Sequence, residues 1–141
     1  MEDFQIKNLR DKIDAENKQM IQHDRGYSRE RDYKGYRIAI YRAGKYGNLC
    51  GYIFTEVEES SEKYDVINEH FHGGITLHKN NVVGFDCNHK WDFNLEYYDT
   101  TIEIGNPYST PPNEFNVYRT LGYVETCLKE TVDALVEHHI S

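Results

Sequence analysis

Apolar positions recur at helical spacing near both ends of the chain and crowd into short strand-like runs between them. Ile6, Leu9, Ile13, Met20 and Ile21, separated by charged residues, predict an amphipathic helix over residues 3–23. Leu121, Val124, Leu128, Val132, Leu135 and Val136 form a fuller stripe and predict a helix over residues 121–138. Thr120 is its expected N-cap, because the hydroxyl can accept a free first-turn N–H. Residues 36–42 and 49–57 are rich in β-branched and aromatic side chains and flank a Gly-containing turn, which predicts a hairpin. A second hairpin joins residues 74–77 to residues 82–86 through Lys79-Asn80-Asn81, where asparagine tolerates the left-handed backbone of a tight turn. The expected fold is α+β: an antiparallel sheet of two hairpins, with the N-terminal and C-terminal helices packed on one face.

The rest of the chain has weaker periodicity. Residues 24–35 mix both charge signs with two glycines and read as a mobile linker. That divides the chain into an N-terminal helix and charged linker, residues 1–35, and an α+β core domain, residues 36–141. The acidic run 56–62 reads as a loop or short helix, and residues 63–69 show no period. Residues 92–113 read as a long polar loop ending in Thr110-Pro111-Pro112-Asn113, and loops of that length often carry function.

Composition narrows the classes of partner. The net charge of −8 disfavours direct contact with a nucleic-acid backbone and suits a basic protein partner instead. Three widely spaced cysteines and no signal-like leader point to a reducing cytosol, and no apolar run is long enough for a membrane span. The twelve tyrosines fit both interfaces and strands.

The densest chemistry lies in residues 70–92, which hold His70, His72, His78, His89, Cys87, Asp86, Asp92 and the single tryptophan, Trp91. Residues two apart on a strand share a face, so His70 pairs with His72 and Cys87 with His89. A two-residue turn at Asn80-Asn81 sets His72 opposite His89; one at Lys79-Asn80 sets His72 opposite Cys87. Either brings opposite Cβ atoms to roughly 4.5–5.5 Å, within common reach of a Zn²⁺ ion. The expected site is a structural zinc held by His72, Cys87 and His89, with His70 or Asp92 as the fourth ligand. A three-residue turn instead puts His72 on the face of Asp86. His72, Asp86 and Asp92 then form an acid–base cluster, with Gly73 and Gly74 admitting a phosphate or carbonyl to the backbone and Arg119 reaching an anion.

His72-Gly73-Gly74-Ile75-Thr76, Gly84-Phe85-Asp86-Cys87-Asn88-His89 with Asp92, and Tyr118-Arg119-Thr120 with Tyr123-Val124 resemble a family of small phage and prophage proteins. In that family a His-Gly-Gly-Ile/Leu-Thr element precedes Gly-Phe-Asp-Cys-x-His-x-x-Asp. The resemblance covers about residues 36–136. Its shared positions are His72, Asp86, Cys87, His89 and Asp92. It implies an anti-defence setting: a metal-containing type II anti-CRISPR protein that binds Cas9 in the host cytosol and blocks DNA loading or cleavage. The alternative is a nucleotide-binding sponge, or a metal-dependent hydrolase, acting on an immune signalling nucleotide.

Overall fold

A computed structural model describes residues 3–107 and 109–141. Residues 1 and 2 of the first predicted segment, and residue 108 of the predicted polar loop, lie outside the described residues. Helix α1 spans Phe4–Asn17, followed by strands β1 (Ile21–His23), β2 (Gly26–Tyr33), β3 (Tyr36–Ala43) and β4 (Leu49–Phe54). Then come helix α2 (Glu62–His70), strands β5 (Leu77–Lys79) and β6 (Val82–Asp86), and helices α3 (Leu95–Glu103) and α4 (Leu121–Glu137). The strands form one antiparallel sheet in the order β1-β2-β3-β4-β6-β5, so the architecture is α+β. No helix among the described residues is long and apolar enough to cross a membrane.

Alternation builds the core. Ile38 and Ile40 of β3, Leu49 and Ile53 of β4, and Val83 and Phe85 of β6 face α4, which buries Val124, Leu128, Val132 and Leu135 against them. Gly51 is required at the centre, since a Cβ there would sit 2.7 Å from the Phe85 ring. Helix α2 lies beside α4 and adds Ile67, with Phe71 just beyond its last turn. Thr120 caps α4 by accepting from the Tyr123 N–H at 3.0 Å.

The predicted linker is a strand. Residues 26–33 pair with β3 along their whole length and with β1 at one end. Their charge conceals a period of two: Arg29 and Arg31 reach Glu125 of α4 at 3.7 and 3.3 Å, and the Tyr33 hydroxyl donates to Asp133 at 2.8 Å. The strand is therefore held to the helix by polar contacts, which a hydrophobicity pattern cannot register. The predicted first helix is likewise shortened, ending at Asn17, and Ile21 joins β1 with its side chain exposed.

Two further helices replace predicted irregular segments. Ser61 caps α2 by accepting from the Tyr64 N–H, and Asn94 caps α3 by accepting from the Tyr97 N–H. Helix α1 packs Ile6, Leu9 and Ile13 against Phe93, Leu95 and Tyr118, forming a second apolar cluster. Glu16 near its end pairs with the fully buried Arg42 of β3 at 2.7 Å, joining this cluster to the sheet.

Candidate functional site

The turn between β5 and β6 pairs Lys79 with Val82, the register of a two-residue Asn80-Asn81 turn. The ladder stops before it reaches the histidines. Its last strand pair is Leu77 with Gly84, supplemented by a hydrogen bond from the Thr76 N–H to the Gly84 carbonyl. Upstream, Gly73 and Gly74 both adopt positive φ, +70° and +86°, and turn the chain out of helix α2. His72 sits in that turn, immediately after the buried Phe71, which packs on Phe85 at 4.8 Å between ring centroids.

On the other side, β6 runs into a tight turn at residues 89–92, closed by the Asp92 N–H donating to the His89 carbonyl at 2.8 Å. Asp92 then joins the last third of the chain: the Phe93 N–H donates to the Val117 carbonyl, and the Val117 N–H to that of Trp91. These pairings carry Asp92 inward until its carboxylate is fully buried.

That carboxylate is the hub of the site. The His72 Nε2–H lies 2.9 Å from both of its oxygens. Oδ2 also accepts from the His89 Nδ1–H and backbone N–H, each at 3.0 Å. Oδ1 accepts from Arg119 Nε at 2.9 Å. Burial alone would raise the Asp92 carboxyl, but the hydrogen bonds from His72, Arg119 and His89 outweigh it and hold the group below the usual carboxylate range. The ionised form is thus the resident one, and it fixes both imidazoles.

The two histidines are used differently. His72 donates through Nε2 and is bound at Nδ1 by the Tyr123 hydroxyl, 2.8 Å away, so both its nitrogens are engaged. His89 donates through Nδ1, and its Nε2 has no hydrogen-bond partner among the described residues, yet is not closed off from solvent. Trp91 stacks on the His89 ring at 4.6 Å and 8°. On the far edge of that ring, a Cβ added to Gly73 would lie 2.4 Å from Nε2, so only glycine lets the His72 turn approach His89 this closely.

His89 and Asp92 also form part of the wall of a cleft of about 490 Å³, completed by Lys90, Tyr97, Tyr98 and Asn116 among others. Helix α3 supplies both tyrosines, and Asn116 Nδ2 ties the Lys90 carbonyl at 2.9 Å. The predicted long polar loop therefore contributes a helical wall to this cleft.

The structure brings together His72, His89, Asp92 and Arg119, with Gly73 against His89. It separates the other predicted residues from them. Cys87 lies in the main apolar core, where burial pushes its thiol far up and disfavours the thiolate that a metal would need. His70 ends α2 on the surface, with Nδ1 bonded to the Val66 carbonyl. Asp86 accepts from the Asn88 N–H, and Gly74 packs beside Asn68. His72, His89 and Asp92 each offer a ligand atom within 4.8 Å of the others, so this cluster could hold a metal ion. Two imidazoles and a carboxylate suit zinc in donor type, while Arg119 already sets a positive charge on the same carboxylate.

Tyr123 and Lys90 complete the site, and residue spacing alone does not single them out. Tyr123 lies in the motif carried by the last helix, 51 positions from its partner His72, and Lys90 adjoins His89. No protein-family model, curated protein or solved structure was found to match this chain.

Proposed function

We propose that this protein binds a small polar ligand in the cleft beside His89 and acts on it by acid–base chemistry. The observation that carries this reading is the state of His89: one ring nitrogen is fixed on a buried, ionised carboxylate and the other is unspent. In that arrangement Asp92 holds the Nδ1–H tautomer, leaving the Nε2 lone pair as a base. For a hydrolysis, Nε2 takes a proton from the attacking water and returns it to the leaving group. Asp92 stabilises the imidazolium between those steps. His72 and Arg119 each hydrogen-bond the carboxylate and keep it ionised and oriented.

Turnover screening of nucleotides, glycosides and esters tests this. Active wild-type protein is expected to lose about 10²–10⁴-fold in kcat on His89→Gln, the usual worth of a positioned acid or base, while the variant still melts cooperatively above the assay temperature. Equal rates in the two proteins, or no turnover of any substrate by the wild type, would remove the reading. Zinc is the proposed occupant should the three-residue cluster take an ion, and its contribution there would be structural, pinning residue 72 to residues 89–92. Elemental analysis without stoichiometric metal, with a melt unaffected by chelator, excludes that ion and leaves the acid–base reading standing.

The net charge of −8 favours a second reading. A small acidic protein can occupy a basic groove, and the resemblance to phage anti-defence proteins names that groove as Cas9's, with DNA loading or cleavage blocked. Binding to Cas9 should weaken steeply between low and physiological salt. Full Cas9 cleavage in the presence of excess protein would dismiss this second reading.

A further inference from the structure

We infer that the corner around Asp92 is an anion site, and that the ligand it takes is a phosphorylated small molecule carrying a polar ring. The inference rests on hydrogen-bond donors left unspent. Arg119 uses Nε on Asp92 and packs its guanidinium over Tyr123 at 5.2 Å, while its two terminal nitrogens have no hydrogen-bond partner among the described residues. The Lys90 ammonium likewise has no ion pair or hydrogen bond there, although Lys90 lines the cleft. The exposed Gly73 N–H has no hydrogen-bond partner among the described residues and lies beside the His89 Nε2, whose lone pair can accept from a phosphate hydroxyl.

These groups gather around one carboxylate. Arg119 is bonded to one oxygen of Asp92 and His89 to the other, Gly73 abuts the His89 ring, and Lys90 follows His89 in the chain. Asp92 is committed to its existing donors, so its negative charge is already countered. In a chain with net charge −8, this corner instead presents a guanidinium, and the adjoining cleft wall adds the Lys90 ammonium. A planar guanidinium with two free amino ends is the side chain best matched to phosphate oxygens, and an ammonium adds a point charge.

The cleft shares His89 and Asp92 with this corner, while Arg119 and Gly73 stand outside its wall, so the cleft indicates that the anion carries an organic part. A volume of about 490 Å³ is far larger than a bare phosphate. Its wall holds the largely exposed ring of Tyr97, which offers a face for stacking, and amide and hydroxyl groups that suit a sugar. A nucleoside monophosphate and a sugar phosphate share this chemistry. The inference deepens the acid–base reading by naming the ligand class, and it places His89 at the phosphorylated end.

Calorimetric titration of the full chain with AMP and ribose 5-phosphate, against adenosine and ribose, tests it. Each phosphorylated compound is expected to bind at least about tenfold more tightly than its uncharged counterpart, the scale of one or two charge-assisted hydrogen bonds. Lys90→Gln, a surface change, and Arg119→Lys, which keeps the charge but loses the fork, should each weaken AMP several-fold. Tighter AMP than ribose 5-phosphate assigns a nucleotide, and the reverse a sugar phosphate. Equal binding of AMP and adenosine, no binding of any of the four compounds, or wild-type affinity for AMP in both variants would overturn the inference. AMP bound but not turned over, with all other substrates also untouched, would defeat the acid–base reading and leave the anion site intact.

Discussion

Glu16→Ala is expected to lower the unfolding free energy by about 3–5 kcal/mol, the cost of stranding a buried charge. Arg42 is fully buried, and its guanidinium is satisfied on every side: Nη2 by Glu16 at 2.7 Å, Nε by Asn17 Oδ1 at 3.0 Å, and Nη1 by the Gly47 carbonyl and the Tyr118 hydroxyl. Glu16 does more than neutralise it. Its Oε1 accepts from the Tyr118 hydroxyl at 2.6 Å, and its Oε2 accepts from the Leu121 N–H at 2.7 Å, at the start of α4. Alanine would leave the guanidinium unpaired, the Tyr118 O–H without an acceptor and a first-turn N–H of α4 bare. Urea denaturation of the variant measures the loss directly. A loss below about 1 kcal/mol, the range of an exposed ion pair, would show that water reaches Arg42 and that the pair is not buried as described.

A companion variant separates charge from packing. Replacing Glu16 and Arg42 together with methionine removes both the charge and its partner. It is expected to cost less than Glu16→Ala alone, because an apolar pair of similar volume often substitutes for a buried ion pair without penalty. The Leu121 N–H would still lose its acceptor, so some cost remains. A double variant less stable than Glu16→Ala would show that the pair's hydrogen bonds outweigh the cost of desolvating it.

Asp92→Asn is the second large expected effect, at about 3 kcal/mol. An amide matches the carboxylate in shape but turns one acceptor into a donor. That NH₂ group would face the N–H groups of His72, His89 or Arg119, which now all point at acceptors. The pH dependence carries the same information. Because the Asp92 carboxyl titrates below its ordinary value in the folded protein, its stabilising contribution is complete above the unfolded carboxylate pKa of about 3.9. It drains away as pH falls through the lower folded value. The stability gap between wild type and Asp92→Asn should therefore be constant from neutral pH down to about 5 and close in stronger acid. Denaturation curves taken in steps from pH 7 to pH 2 give the gap. One that stays constant to pH 2 would mean that the ionised carboxylate is not what the variant loses.

The Glu16–Arg42 pair also shows where the sequence stops being readable. Glu16 and Asn17 lie where the apolar stripe of the first helix thins, so they look like solvated surface, and Arg42 continues the Ile38 and Ile40 face as a charged residue on a core strand. Periodicity places Arg42 on the buried face without saying what neutralises it. The partners come from α1, the 43–48 turn and Tyr118, which meet only after α1 has docked.

The features legible along the chain are local ones. The apolar stripe and Thr120 specify α4 and its start, the β-branched runs specify β3, β4 and β6, and Lys79-Asn80-Asn81 specifies a turn whose register, Lys79 with Val82, came from the folded sheet. These features depend on backbone propensity and on periods of two or 3.6, which neighbouring residues carry in full. Long-range packing supplied three further features. It made a strand of residues 26–33, because the acidic face of α4 receives Arg29 and Arg31. It set Cys87 in the core and apart from the histidines, because the ladder ends before His72 and the Gly73-Gly74 turn redirects the chain. It made Asp92 the centre of the site, because its neighbours pair with residue 117 and carry its carboxylate under Arg119, a residue 27 positions away. A buried charge gains its partners only when distant segments pack around it, and no local pattern records which segments those will be.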